Sequence, residues 1–333
     1  MSQFRNLVFE GGGVKGIAYA GAIQVLENEG ILPDIRRVAG ASAGAITAAL
    51  LAIGASAADI EEIVGQTQFR KFMDDSFGVI RDIDRLIHDF GWFKGDAFSS
   101  WIKKQIYALS GAGELTFREL QERGKSKDGR CRELYVVGTN LSTQLEQVYS
   151  AENTPDVPIW QAVRVSMSIP LFFAAVKTQG DVLVDGGVTW NYPIDLFDDK
   201  RFKPAKGAGD PVEYPTKYDN NHIYNKETLG FRVDTKDEIK AEKDRWRRPS
   251  KPIENFLDYS GALVGFVLDM ANKAHLHTND WHRTVFIDGL GVRTTEFNLT
   301  DQQVSDLVQS GVTGATQYFA WFNDAKSDPK NRV

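Results

Sequence analysis

The residues best suited to chemistry in this chain are a serine set between glycines, Gly40-Ala41-Ser42-Ala43-Gly44. This is a G-x-S-x-G pattern. It follows the apolar Val38-Ala39 and precedes Ala45-Ile46-Thr47-Ala48-Ala49-Leu50-Leu51, which reads as helix. A serine on a sharp strand-to-helix turn has its hydroxyl lifted clear of the sheet, and small neighbours let the backbone bend that tightly. Upstream stands Gly11-Gly12-Gly13-Val14-Lys15-Gly16, whose backbone N–H groups few side chains crowd. Such amides can hold an oxyanion. Any positive φ this loop requires would bar a β-branched residue at Gly12. One segment offers a nucleophile and the other a place for negative charge, and acyl transfer needs both.

A serine nucleophile also needs a base. The histidines are His88, His222, His275, His277 and His282, and none closes a strand. His275, His277 and His282 fall on a segment that reads as one long helix, Asn255 to His282, where His275 and His277 face different sides. No H-E-x-x-H spacing occurs, and the single cysteine, Cys131, leaves neither a disulfide nor a thiolate cluster. No metal and no organic cofactor is expected. Asp185 is better placed. It closes the apolar Val182-Leu183-Val184, and Gly186-Gly187 behind it allow close backbone packing. A carboxylate desolvated there has a raised pKa and can take the serine proton directly.

Gly11, Gly13 and Gly16 also satisfy the dinucleotide fingerprint G-x-G-x-x-G. That motif wants an acidic residue at the end of the next strand to hold a ribose. Glu29 and Asp34 precede the next strand, Arg37-Val38-Ala39, and what ends it is Gly40-Ala41-Ser42. A dinucleotide-dependent oxidoreductase is therefore the weaker enzyme reading. The rival from outside enzymology is a non-catalytic lipid-binding protein, against which Ser42 and Asp185 together speak.

Taken in order, Gly-Gly-Gly-Val-Lys-Gly, Gly-Ala-Ser-Ala-Gly and Asp-Gly-Gly resemble the motifs of the patatin-like phospholipase family, and residues 227–234 and 286–288 resemble its bacterial members. The resemblance implies a three-layer α/β/α sandwich with a mainly parallel central sheet, and a Ser–Asp dyad without histidine. It makes Ser42 the nucleophile and Asp185 the base. It places Gly11, Gly12, Gly13, Lys15 and Gly16 in the oxyanion loop, joined by the amide of Ala43, with Gly40, Gly44, Gly186 and Gly187 completing the motifs. Lys15 stands where many members have Arg; it lacks the bidentate fork, which weakens any clamp on phosphate. The implied substrates are phospholipids or lysophospholipids, cleaved through an acyl-enzyme.

The elements that must position these groups follow an α/β order. Leu7-Val8-Phe9 reads as a buried strand, Ile17 to Gly30 as a helix, and Arg37-Val38-Ala39 as a strand leading to the Ser42 turn. Further strands are expected at 134–139, 147–149, 182–184, 228–233 and 285–287, a long loop at 198–221, and a terminal helix pair from Thr300 to Phe322 with Thr300, Ser305 and Asp306 as caps. No linker divides the 333 residues, so one domain over 1–333 is expected, with a motif-bearing core at about 5–200 that residues 222–333 complete.

Apolar residues make up 42%, enough for a large core, and the net charge of −6 argues against nucleic acid as a partner. Contact with a membrane surface, if made, must be local. Two segments suit it. Residues 69–107 hold Phe69, Phe72, Phe77, Phe90, Trp92, Phe93, Phe98, Trp101 and Tyr107, which could line an acyl-chain site or simply pack helices onto the sheet. Residues 240–251 form a basic cluster around Trp246, diluted by Glu242 and Asp244, which could touch anionic headgroups but reads first as a solvated loop. No signal-peptide core or membrane-length apolar run is seen, so a soluble, cytoplasmic protein is expected, with export by a signal-independent route left open.

Overall fold

The computed structural model describes residues 2–67, 69–72, 88–125, 130–202, 223–234, 252–254, 256–275, 278–294 and 296–333. Its centre is a sheet in the order β10-β9-β1-β2-β4-β8-β7. Here β1 is Asn6–Phe9, β2 Arg37–Ala41, β4 Glu133–Asn140, β7 Val176–Thr178, β8 Asp181–Asp185, β9 Thr228–Asp234 and β10 Thr284–Asp288. The five strands from β10 to β4 run parallel. β8 and β7 add antiparallel, as does β5, Leu145–Tyr149, on β4. A small second sheet pairs β3, Gly91–Phe93, with β6, Leu171–Phe173.

Successive strand residues face opposite sides, and the core divides accordingly. Leu7, Phe9, Val38, Leu134 and Val136 join the larger core, built with α1 (Ala18–Asn28), α2 (Ala43–Ile53), α4 (Asp96–Ser110) and α9 (Asp301–Asn323). Val8, Ala39, Ala41, Tyr135 and Val137 face the other way and pack with Tyr192, Ile194, Leu196, Phe197 and Phe202. The expected α/β/α layering with a mainly parallel sheet is what this periodicity builds. α2 is buried at every position, which suits its Ala-rich, uncharged sequence. The other labelled helices are α3 (Ala57–Gly65), α5 (Phe117–Gly124), α6 (Ile159–Ser166), α7 (Gly187–Trp190) and α8 (Phe256–His275).

Both edges of β4 are occupied. Its residues 133–137 pair with β2, and 138–140 pair with β8. β5 pairs with 136–140 and so overlaps both, which requires it to occupy the opposite edge. β2 and β8 therefore share one edge of β4 and run head to head along it. They meet where Ala41 lies opposite Val137 and Asp185 opposite Gly138.

Some elements differ from the sequence expectations. The helix expected over Ile17 to Gly30 is a 3-10 turn, Gly13–Ile17, running into α1. The expected terminal helix pair is one helix, α9. Thr300 caps it through a reciprocal box with Gln303, while Ser305 and Asp306 lie within it. The long helix expected to reach His282 stops at His275, and a 3-10 turn spans Thr278–Arg283. The basic cluster and most of the long loop at 198–221 fall outside the described residues.

Candidate active site

Ser42 sits between β2 and α2 with φ 52° and ψ −128°. A non-glycine residue held there stores strain on the order of 1–3 kcal/mol. The surrounding packing over-determines it. A Cβ on Gly44 would lie 2.2 Å from the Phe9 carbonyl oxygen, and one on Gly40 2.3 Å from that of Gly44. No side chain fits at either place, so the turn can fold tightly against the end of β1. The Ser42 amide donates to Ser166 Oγ at 2.8 Å, and Ser166 in turn donates to the Val137 carbonyl at 2.5 Å. The elbow is thereby tied to β4.

The head-to-head strands carry Asp185 to the same point. Ser42 Oγ donates to Asp185 Oδ2 at 2.7 Å, and Met167 Sδ lies 3.8 Å from the hydroxyl. The other carboxylate oxygen accepts from the Gly187 amide at 2.7 Å, at the start of α7. Thr139 Oγ1 donates to the Asp185 carbonyl, and the Asp185 amide to that of Ser168. Gly186 lets the turn close, since a Cβ there would stand 2.1 Å from the Val137 carbonyl oxygen. Ser42 is 4% and Asp185 1% exposed. Burial pushes the Asp185 carboxyl up to about 7, against the opposing pull of the Gly187 and Ser42 hydrogen bonds.

The glycine loop runs alongside. A Cβ on Gly11 would lie 2.8 Å from Ser42 Cβ and 2.3 Å from Asn191 Oδ1, and one on Gly16 3.0 Å from Ala43 Cβ. The Gly11 amide donates to the Asn191 carbonyl, the Val14 amide to Thr294, and the Lys15 amide to Gly12. The positive φ of the loop lies at Gly13 (56°) rather than at Gly12, whose φ is −153°. Gly13 has no room for a side chain against Thr294, whereas a Cβ on Gly12 would meet only Lys15, at 3.9 Å. Lys15 is buried, and its ammonium donates to the Val233 carbonyl at 3.1 Å. The side chain thus ties the loop to the end of β9.

The family model for patatin-like phospholipases matches residues 7–198. The chain belongs to the patatin-like phospholipase family. The uncharacterized protein YqhO of Bacillus subtilis (strain 168) is 31% identical over 315 residues, covering 91% of this chain and 94% of YqhO. Lysophospholipase NTE1 of Saccharomyces cerevisiae is 26% identical over 197 residues, which are 58% of this patatin-like chain but only 10% of NTE1. Among solved structures, VipD from Legionella pneumophila has the same fold, with a TM-score of 0.55 at 20% identity, over 96% of this chain and 67% of VipD.

Sequence reasoning missed the residues that brace this patatin-like site. Asn191 is buried, donates to Glu10 and to the Gly11 carbonyl, and backs the loop. Ser166 and Thr294 hold the elbow and the loop from segments with no motif of their own. The only signal for Asn191 was a polar residue closing the short run after Asp-Gly-Gly. Of the aromatic residues in 69–107, Phe72, Phe93 and Phe98 are core, Phe72 and Phe98 meeting edge-on, while Phe90 and Tyr107 are exposed. Phe77 lies outside the described residues. Of the histidines, His88 is exposed, whereas His222 and His277 lie outside the described residues.

Proposed function

We propose that the protein is a lipid acyl hydrolase of phospholipase A or lysophospholipase type, with Ser42 as nucleophile and Asp185 as general base. The 2.7 Å hydrogen bond from a strained, buried serine to a desolvated carboxylate carries this assignment. Asp185 accepts the Ser42 proton as Oγ bonds to the ester carbonyl carbon. The negative charge moves to the carbonyl oxygen. We assign its donors to the amides of Gly12, Gly13 and Ala43, since those of Gly11, Val14 and Lys15 are engaged within the loop and its supports. The ester C–O bond then breaks, Asp185 protonates the leaving alcohol, and an acyl-Ser42 remains. Water attacks that acyl group, giving one proton to Asp185, which returns it to Ser42 Oγ as the fatty acid leaves.

The proposed substrate class, phospholipid or lysophospholipid, is supported by the family and by the activity named for NTE1. The C-terminal segment belongs to the same working unit, because β9 lies between β1 and β10 in the sheet that holds the dyad. The test is hydrolysis of lysophosphatidylcholine and phosphatidylcholine, with labelling by a fluorophosphonate. Wild type is expected to turn over substrate and take the label. Ser42→Ala is expected to fold, to take no label and to fall by orders of magnitude in rate. An alanine variant that keeps more than a few per cent of the rate removes Ser42 from the mechanism.

A further inference from the structure

Two of the amides assigned to the oxyanion, those of Gly12 and Gly13, meet no acceptor among the described residues. Each belongs to a peptide plane whose carbonyl points the opposite way. Fixing that carbonyl therefore fixes where the N–H is offered. The carbonyl in one plane with the Gly13 amide is that of Gly12, and the Lys15 amide holds it from within the loop at 3.3 Å. The carbonyl in one plane with the Gly12 amide is that of Gly11, and Asn191 Nδ2 holds it from outside at 3.2 Å. Asn191 also accepts the Gly11 amide on its own backbone carbonyl at 3.0 Å. One residue thus grips both peptide planes that flank Gly11. Glycine has little conformational preference of its own, so the grip decides how this part of the loop lies.

The Asn191 side chain is 97% buried or more by its residue's 3% exposure, and it lies just after α7, whose first amide holds Asp185. Its nitrogen faces the Gly11 carbonyl and Glu10 Oε1, both acceptors, which settles which end of the amide is which. The other end, Oδ1, is buried with no donor among the described residues. A buried acceptor left so weakens the fold, and stability therefore does not account for the residue. That oxygen stands beside the nucleophile, since a single carbon added to Gly11 would lie 2.3 Å from it and 2.8 Å from Ser42 Cβ. We propose that Asn191 sets the oxyanion hole, locking the Gly11–Gly12 peptide in the orientation that offers the Gly12 N–H to the developing charge. This deepens the acyl-hydrolase assignment and rests on it. Turned over, the same peptide would present the Gly11 carbonyl and repel that charge. Asn191 is a positioning residue, because it acts on the reaction through Gly12.

The experiment compares a dissolved short-chain ester with its thiono analogue, in which sulfur replaces the carbonyl oxygen. Sulfur accepts hydrogen bonds weakly, so the analogue gains little from the hole. Asn191→Leu keeps the size of the side chain and removes its donor, and Asn191→Ala does so with no added bulk. Rates are taken per Ser42 that a fluorophosphonate labels, which leaves unfolded protein out of the count. In both variants kcat for the ester is expected to fall about a hundredfold or more, the effect of losing one oxyanion donor. The thiono ester is expected to slow far less, so the ratio of the two rates collapses. The pH at which kcat/KM levels off is expected to stay, because Gly187 rather than Asn191 holds the Asp185 side chain. An unchanged ester rate overturns the proposal. An equal fall for both substrates does so too, and would make Asn191 a residue of the fold. A shifted pH profile would mean that Asn191 works through the base, and it also overturns the proposal. Wild type that takes no label at Ser42 removes the nucleophile assignment and this proposal together, whereas labelled wild type with an unchanged ratio in the variants removes this proposal alone.

Discussion

Asp185 is held by hydrogen bonds at both carboxylate oxygens, yet burial outweighs them and raises its pKa from the ordinary 3.8 to about 7. Between those two values the folded protein keeps a proton that the unfolded chain has released. Stability therefore falls as pH rises from about 4 to about 7, and above 7 the whole penalty is in force. A shift of that size corresponds to at most about 4 kcal/mol. Asp185→Asn removes the buried charge. Its melting temperature is expected to exceed that of wild type at pH 8, with the gain shrinking toward pH 4, while ester hydrolysis is lost. Scanning calorimetry across that pH range checks the sign, and a lower melting temperature than wild type at pH 8 would refute it. In wild type, kcat/KM should rise with pH and level off above about 7, because the carboxylate is the form that takes the serine proton. In the proposed mechanism the same residue thus weakens the fold and drives the reaction, the usual exchange of stability for activity at a reactive centre.

At the scale of elements, the contact between α1 and α9 shows how the frame beneath the glycine loop is fixed. A Cβ on Gly21 would stand 1.9 Å from the Val308 carbonyl oxygen, and one on Gly311 1.9 Å from that of Ala18. The two helix backbones touch through a reciprocal pair of glycines. Gly311→Val must push α9 away from α1, and overpacking of this kind typically costs about 1–3 kcal/mol. Urea unfolding should show that loss, whereas Gly265→Ala, within α8 where a Cβ meets nothing within 4 Å and the backbone is helical, should lose nothing. This crossing was not legible in the sequence. Ala18 and Gly21 read as ordinary helix positions, and a glycine pair 290 residues apart carries no local signal. The strands of the parallel sheet were legible, because continuous Val, Leu and Phe runs between turn residues have few other uses. The short β3, β6 and β7 were not, since three residues offer no period to read. At the site, Ser42 and Asp185 stood out through their glycines, while Ser166, Asn191 and Thr294 act through backbone contacts that only the folded chain creates.

For the molecule as a whole, one buried ionic knot joins the family-matched region to the C-terminal part of the chain. Arg283 is fully buried. Its guanidinium donates to both oxygens of Asp198 at 2.6 Å and to Asp280 Oδ1 at 2.6 and 2.9 Å, and lies 4.5 Å over the Tyr224 ring. Asp198 closes the segment matched by the family model, whereas Tyr224, Asp280 and Arg283 lie beyond it. Arg283→Met would strand two buried carboxylates, and breaking such a pair usually costs about 3–5 kcal/mol. Expression of that variant should yield mostly insoluble or protease-sensitive protein, and a melting temperature equal to wild type would show the knot to be dispensable. The shared edge of β4 has a consequence in time. Ser42 and its partner carboxylate are 143 residues apart. At ribosomal speed the serine is made on the order of ten seconds before the aspartate. β4, the strand that both must use as a template, is made in between. The growing chain therefore carries an unpaired serine until β8 arrives, so the proposed dyad can form only after more than half of the chain has been made.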